Sequence, residues 1–194
     1  MSDLFEQPDD ATPLTPEEVR ELIPAHIAYR RELNEAEQEN IARAQDWALN
    51  RRRDPLSEKF VHELHRRMLG DVWRRAGKFR TSERNLGTAF YEIPVALRQL
   101  LDDTKAWIDY KTYPPDEIAV RFHHRLVQIH PFPNGNGRHA RLMADLLVMR
   151  LGGERFSWGS ANLQGAGAAR QRYIAALQAA DDHDIGPLLA FARS

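Results

Sequence analysis

The residues from His130 to Arg141 combine side chains that can bind phosphate and activate a nucleophile beside it. They read His-Pro-Phe-Pro-Asn-Gly-Asn-Gly-Arg-His-Ala-Arg. Arg138 and Arg141 are three residues apart, so on a helix they share one face, where two guanidinium groups can hold several phosphate oxygens. The imidazole of His130, with an ordinary pKa of roughly 6.5, can be neutral and accept a proton from an attacking hydroxyl. The spacing therefore predicts a di- or triphosphate site beside a general base.

Gly135 and Gly137 predict a loop whose main chain approaches its ligand closely. Glycine adopts positive φ at little cost and places no Cβ between main chain and ligand. If a helix begins directly after these glycines, successive N–H groups can converge on an anion at its N-terminus. Each feature alone is typical of an ordinary turn or a solvated arginine, whereas the combination is much more specific.

Two predicted helices position this stretch. The first has apolar residues at steps of four and three: Ile118, Phe122, Leu126 and Ile129. Pro131 removes a backbone donor and disfavours helical backbone at the preceding residue, so this helix must end near His130. The second is apolar nearly all round from residue 142 to residue 149 and ends at Gly152-Gly153, which predicts a buried helix.

Length and composition predict one domain in the cytoplasm. A chain of 194 residues with 42% hydrophobic content can bury one core. The absence of cysteine excludes a disulfide scaffold and thiolate catalysis, and the lack of a long apolar run argues against secretion and membrane spanning. A net charge of −1 gives no general attraction to nucleic acid, so we expect no direct nucleic-acid partner.

The stretch from His130 to Arg141 resembles the signature of the Fic (filamentation induced by cAMP) family, His-Pro-Phe-x-Asp/Glu-Gly-Asn-Gly-Arg-x-x-Arg, and departs from it only at Asn134. The whole chain, including the sequence from Leu33 to Gln38 and Trp47, is similar to the subgroup named mobile mystery protein B. The resemblance implies an all-α fold, a Fic-type helical bundle with a small β-hairpin flap. Residues 1–55 would form an N-terminal helical extension with a candidate inhibitory role, and residues 56–194 would form the Fic core domain.

The resemblance also implies a reaction. It is the transfer of a nucleoside monophosphate, most often AMP from ATP, onto a protein hydroxyl, with release of pyrophosphate. His130 would be the general base. The anion hole and the leaving phosphates would be held by the residues that follow: Gly135, Asn136, Gly137, Arg138 and Arg141. The partners implied are a protein target bearing a Ser, Thr or Tyr hydroxyl and, from the subgroup name, a helix-turn-helix regulatory protein encoded beside it.

Asn134 stands where the family pattern has a carboxylate that helps to bind Mg²⁺. Its side chain offers only a neutral carbonyl oxygen, whereas Mg²⁺ usually takes one or two carboxylates together with waters and substrate phosphates. We therefore expect a weakened Mg²⁺ site at Asn134 and a slower transferase.

The flap, residues 78–91, contains few helix formers in its middle and a Leu86-Gly87 turn signal. It therefore predicts a short hairpin or an ordered loop, whose edge can pair with a target segment.

Many Fic proteins also carry an inhibitory helix with a Ser/Thr-x-x-x-Glu-Gly/Asn motif, whose glutamate pairs with the second signature arginine, here Arg141. Glu39-Asn40 matches the end of that motif, with Glu35 at the Ser/Thr position, so Glu39 is the candidate inhibitory residue. The alternative is a solvated helix face.

Other readings of the chain are weaker. His62 and His65 lack the His-Glu-x-x-His spacing of zinc hydrolases, and we expect them at the surface or behind the site. Two further functions are alternatives to nucleotide transfer. Death-on-curing kinases share the fold and transfer a phosphoryl group, but their signature has Lys where Gly137 stands. The third hypothesis is a nucleotide-binding regulatory module with weak or no turnover. It is kept because Asn134 replaces the carboxylate of the family pattern.

Overall fold

The computed structural model describes residues 16–50, 53–84, 86–160 and 167–194. Within these ranges the chain is helical and contains no strand, which confirms the predicted all-α fold. The α-helices are α1 (Pro16–Glu21), α2 (Arg30–Leu49), α3 (Glu58–Leu69), α4 (Ile93–Asp109), α5 (Pro115–Ile129), α6 (Asn136–Arg150), α7 (Ala168–Asp181) and α8 (Gly186–Arg193). Short 3₁₀ helices span Phe90–Glu92 and Trp158–Ser160. Among the described helices, none combines the length and apolarity needed to cross a membrane.

Helices α5 and α6 pack against each other, and the signature loop, residues 130–135, connects them. Helix α5 begins at Pro115, where proline is favoured because the N–H at this position has no partner within the helix. Asp116 and Glu117 follow in the first turn, where acidic side chains interact favourably with the helix dipole. The predicted apolar face is buried, with Phe122 and Leu126 almost completely shielded from solvent. The prediction of α5 is therefore confirmed.

Helix α3 supplies the surface on which the signature loop rests. It begins after Ser57, whose hydroxyl accepts a hydrogen bond from the Phe60 N–H at 3.3 Å. Phe132 of the loop is fully buried and stacks on the ring of His65 in α3, with ring centroids 3.8 Å apart. Burying a phenylalanine side chain contributes about 1.5–3 kcal/mol, so Phe132 anchors the loop in the core.

Helices α1 and α2 lie in the N-terminal extension, and α2 packs along α3. Leu33, Ala44 and Ala48 of α2 are buried in the core to which α3 also contributes. Leu22, just after α1, forms an isolated β-bridge with Trp73. The extension thus shares the core of the chain, and the domain division at residue 55 stays a prediction.

The hairpin form of the predicted flap is wrong for the described residues, which form an ordered loop instead. The Arg80 N–H donates to the Pro131 carbonyl at 2.9 Å, and the Thr88 N–H donates to the Ile129 carbonyl at 3.4 Å. Carbonyl groups of the flap accept hydrogen bonds from the buried Arg80 side chain. Because these main-chain groups bind the end of α5, the signature loop and one guanidinium, they do not form a ladder between two strands.

Candidate active site

His130 occupies the C-cap of α5 with left-handed backbone angles, φ 51° and ψ 59°. Pro131 disfavours helical backbone here, and the His130 N–H still closes the helix by donating to the Leu126 carbonyl at 3.2 Å. A non-glycine residue in this region costs on the order of 1–3 kcal/mol and persists only when its surroundings hold it. The surroundings that hold His130 are therefore part of the site.

The imidazole of His130 is set up as a neutral base. Burial, followed by the nearby charges of Arg80 and Arg84, lowers its pKa to about 4. The Val127 main chain hydrogen-bonds to the ring and opposes this shift, as a carbonyl acceptor does. One ring nitrogen therefore carries the proton shared with Val127, and the other keeps its lone pair. At neutral pH the side chain can accept a proton.

Gly135 makes the turn from which α6 starts. Its φ is +68°, which strains any residue that carries a Cβ, and a Cβ at this position would lie 2.4 Å from Cδ1 of Leu69 and force that side chain to move, so glycine is strongly favoured. A Cβ at Gly137 would meet only Nη1 of Arg141 at 3.7 Å, an ordinary contact distance. Both glycines line one cavity, and the N–H groups of the first turn of α6 are positioned for an anion there.

Asn136 closes the signature loop with its side chain. Its Nδ2 donates to the Phe132 carbonyl at 2.7 Å, and its Oδ1 accepts from the Phe132 N–H at 2.9 Å. The residue is buried. Because the amide is used in this way, any part that Asn136 takes in an anion hole falls to its main-chain N–H.

His65 ties the loop to the segment after α3, and it is fully buried instead of lying at the surface. The Gly77 N–H donates to Nδ1 of His65 at 2.9 Å, so the ring proton is on Nε2, which donates to the Asn134 carbonyl at 3.1 Å. Burial lowers the pKa of His65 to about 4, which keeps the ring neutral, and its two hydrogen bonds select the tautomer. The signal for its burial was its place on the face of α3 that carries the apolar residues 61, 64 and 68.

Arg138 is held by a carboxylate from the N-terminal extension. Its Nη1 lies 2.7 Å from Oε2 of Glu37, and Oε1 of Glu37 accepts from the indole N–H of Trp73 at 2.6 Å. Glu37 is buried. Glu39, the predicted inhibitory residue, lies on another side of α2, where its side chain is 76% exposed and pairs with Arg43 at 3.7 Å. The carboxylate of α2 that pairs with Arg138 is thus that of Glu37, and the inhibitory role of Glu39 stays a prediction.

Arg141 is positioned by Tyr173 of α7. Its guanidinium carbon lies 5.3 Å from the centre of the tyrosine ring, and the Tyr173 hydroxyl hydrogen-bonds to Arg141 and, at 2.9 Å, to Nε2 of His123. Burial and the charge of Arg141 lower the pKa of Arg170, which lines the same cavity. Arg170 is thus a cavity-lining residue that the sequence analysis did not single out.

One cavity of about 1520 Å³ brings the predicted residues together. Its lining includes His130, Asn134, Gly135, Asn136, Gly137, Arg138 and Arg141, and also the flap residues Leu86, Gly87 and Thr88. A neutral base, a helix N-terminus and several guanidinium groups thus face one space large enough for a nucleotide.

The model of the Fic/DOC family matches residues 55–148. The chain carries a Fic domain. It is 34% identical over 142 residues to the protein adenylyltransferase Fic of Aedes aegypti, covering 71% of this chain and 27% of that protein. It is 36% identical over 108 residues to the protein adenylyltransferase fic-1 of Caenorhabditis elegans, covering 54% of this chain and 21% of that protein. The chain thus spans about a quarter of the length of the curated relatives it matches.

Solved structures agree with this assignment. Fic-1 from C. elegans superimposes with a TM-score of 0.64 at 28% identity, covering 81% of this chain and 46% of that chain. The BepC protein of Bartonella tribocorum, with bound AMPPNP, covers 98% of this chain and 97% of its own at a TM-score of 0.66. Because its identity is 17%, it supports the fold alone.

The Fic domain offers a poor metal site by itself. No group of three or more His, Asp, Glu or Cys side chains is arranged for a metal within the described residues. Asn134 lines the cavity with a neutral amide, while its own carbonyl is bound by His65. The buried carboxylate of Glu37 is already bound to Trp73 and Arg138. The residues present therefore fit Mg²⁺ only weakly.

Proposed function

We propose that this Fic domain transfers a nucleoside monophosphate, with AMP from ATP as the first candidate, to a Ser, Thr or Tyr hydroxyl of a protein target. The observation that carries the proposal is the shared cavity of the neutral His130 imidazole, the N-terminus of α6 and Arg138 with Arg141. The names of the curated relatives support the reaction class. A helix-turn-helix partner and a cytoplasmic location stay predictions from the sequence.

The proposed step is an in-line displacement at the α-phosphorus. The target hydroxyl gives its proton to the unprotonated nitrogen of His130 as its oxygen bonds to phosphorus. The bond from the α-phosphorus to the bridging oxygen breaks, and pyrophosphate leaves. Arg141, Arg138 and the N–H groups at the start of α6 stabilise the leaving charge. Such reactions depend mainly on positioning and electrostatics, which are what this chain supplies.

Mg²⁺ would reach the site mainly through the nucleotide phosphates, whose charge it neutralises when bound. Asn134 would add one neutral oxygen, which fits the predicted slow transfer better than a complete loss of it.

Glu37 is proposed as the inhibitory residue in place of Glu39. Phosphate oxygens and the Glu37 carboxylate compete for the same Arg138 guanidinium, so the Glu37 contact weakens the attraction of Arg138 for a nucleotide. The Trp73 indole holds the carboxylate in the competing position.

A labelled-nucleotide assay tests the proposal. Cell lysate is incubated with α- or γ-labelled ATP and either wild type or His130→Ala, and labelled bands are identified by mass spectrometry. We expect α-label in a protein band, reduced about 10²- to 10⁴-fold in the variant because the base is lost. Transfer of γ-label instead would indicate phosphoryl transfer. Nucleotide binding without transfer of either label would indicate that the domain is a nucleotide-binding module.

A further inference from the structure

We propose that Arg80 is a positioning residue that couples the flap to His130, so that the conformation of the target-facing loop controls the geometry of the base. This inference rests on the proposed function, because it assigns a target-dependent role within the same site.

The guanidinium of Arg80 binds three main-chain carbonyls at once. Its Nε donates to the His130 carbonyl at 2.8 Å, its Nη1 donates to the Ser82 carbonyl at 3.0 Å, and its Nη2 donates to the Thr88 carbonyl. The residue is 2% exposed. Five N–H donors in a rigid plane can bind three acceptors in fixed directions, which an ammonium group on a flexible chain does less well.

These contacts link both arms of the flap to the strained residue of the site. Ser82 and Thr88 lie on opposite sides of the flap turn, and His130 has the left-handed backbone that its surroundings must hold. A change in the position of either flap carbonyl therefore reaches the His130 carbonyl through one planar group. The main chain of Arg80 adds a second link, since its N–H donates to the Pro131 carbonyl at 2.9 Å.

Gly87 brings the flap turn directly onto the base. Its φ is +105°, and a Cβ there would lie 2.7 Å from both Nη2 of Arg80 and Cβ of His130. No side chain fits between these three residues without displacing one of them. A target segment that binds the flap main chain and moves Gly87 would thus change the position of His130.

The charge of Arg80 also acts on the imidazole. The charged groups that face His130 are Arg80 and Arg84, both from the flap side, while the Val127 main chain contacts it from its own helix. The carboxylate facing Arg80 is that of Glu83, 3.7 Å away and 59% exposed, so water screens it. The positive charge therefore helps to keep the base unprotonated.

The test separates the geometry of Arg80 from its charge. Arg80→Lys keeps the charge and loses the planar fork, whereas Arg80→Gln loses both. Arg193 offers a matched control at another site, because its guanidinium also binds two carbonyls, those of Glu154 and Arg155 at 2.9 and 3.2 Å, together with Asp116 at 2.7 Å. Nucleotide Kd by calorimetry, kcat for target modification, and the NMR titration of the His130 ring are measured for each protein. His130→Gln assigns the resonance.

We expect both Arg80 variants to bind ATP within about threefold of wild type and to lose at least about tenfold in kcat. Arg80→Gln should also move the pKa of His130 upward toward 6.5, while Arg80→Lys should leave it low. Arg193→Lys and Arg193→Gln should lower the melting temperature without either effect. If Arg80→Gln does not fold, Arg80→Lys and Gly87→Ala carry the kinetic test, and both should lose kcat.

Wild-type kcat in the Arg80 variants overturns the inference. Equal losses in kcat and nucleotide affinity, or the same losses in the Arg193 variants at matched stability, also overturn it. If wild type transfers no label to any protein, the proposed function fails. The NMR titration still decides whether Arg80 acts on His130, because it needs no turnover.

Discussion

Two buried carboxylates in this molecule have the same kinds of partner. Glu37 accepts the indole N–H of Trp73 at 2.6 Å and pairs with Arg138 at 2.7 Å. Asp145 of α6 accepts the indole N–H of Trp158 at 2.8 Å and pairs with Arg155 at 2.9 Å. We call these groups the Glu37 trio and the Asp145 trio.

The trios differ in how far they reach along the chain and in what their arginine faces. The partners of Glu37 are 36 and 101 residues away, whereas those of Asp145 are 13 and 10 residues away. Arg138 faces the cavity, and Arg155 does not line it. The Asp145 trio is therefore a local structural contact, while the Glu37 trio holds an arginine that lines the cavity and for which we propose a role in nucleotide binding. Under that proposal the same chemistry serves packing in one place and competes with a ligand in the other.

Lowering the pH should reduce the free energy of unfolding through buried histidines near both trios. This is the largest effect that we predict. Four described histidines have lowered pKa values: His65 and His130 at about 4, His123 at about 3, and His139 well below its ordinary value. Because the folded pKa lies below the unfolded value of 6.5, the unfolded chain binds more protons below that pH. Stability is therefore complete above pH 6.5 and falls toward pH 4, by up to about 1.4 kcal/mol per pH unit for each histidine.

Urea denaturation at pH 7, 6 and 5 measures this slope. His65→Gln, whose ring feels the charge of Arg138 in the Glu37 trio, and His123→Gln, which has the Trp158 ring 4.6 Å away in the Asp145 trio, should each reduce this slope by about one histidine's share. A free energy of unfolding that stays constant between pH 7 and pH 5 would contradict these protonation states.

Glu37→Gln is the direct test of the difference between the trios. Removing the charge that competes for Arg138 should strengthen ATP binding about 10- to 100-fold, since a hydrogen bond to a charged group contributes about 1.5–3 kcal/mol. Automodification should rise with it. Calorimetry and α-label incorporation measure the two effects. Glu39→Gln is the matched control on the same helix and should change neither; if it gives the larger increase, the inhibitory role belongs to Glu39 after all.

Glu37 and Glu39 also show where sequence reasoning reaches its limit. Pro131 and the apolar steps of α5 are local signals, and they placed the end of that helix and His130 correctly. The inhibitory motif was also read locally and led to Glu39, but residues two apart on a helix point to nearly opposite sides. Which side faces the site depends on the packing of α2 against Trp73, a contact 36 residues away.

The prediction of a hairpin in the flap was wrong for a related reason. The segment has the turn signal and composition of a hairpin, yet the partners of its carbonyls are on Arg80, whose guanidinium also reaches the His130 carbonyl 50 residues along the chain. A buried guanidinium with main-chain acceptors leaves no periodic pattern in a sequence. The contacts of Arg80 with the Ser82 and His130 carbonyls, 2 and 50 residues away, are therefore visible only in the structure.

Asp145→Ala should lower stability and leave the ligand site alone. The indole of Trp158 would lose its acceptor, and an unsatisfied buried donor costs about 1–3 kcal/mol. Burial raises the pKa of Asp145 despite the hydrogen bonds from Arg155 and Trp158, so the neutral Asp145→Asn should be milder than alanine. Urea denaturation gives the free energies, and ATP affinity should stay within about threefold of wild type. A loss of affinity as large as the gain in Glu37→Gln would mean that both trios serve the nucleotide site.

Asn134→Asp is expected to have the smallest effect. It tests whether a carboxylate added at the cavity pairs with an arginine, as Glu37 does, or binds a metal ion. A carboxylate that binds Mg²⁺ should raise the apparent Mg²⁺ affinity of turnover roughly threefold to tenfold, corresponding to about 1 kcal/mol, with stability unchanged. A carboxylate that instead pairs with Arg138 should weaken ATP binding in the absence of Mg²⁺. Measuring the variant alone and combined with Glu37→Gln separates these results, because only the competing carboxylate would cancel the affinity gained by removing Glu37. No change in Mg²⁺ dependence in either background would show that Asn134 does not limit metal capture.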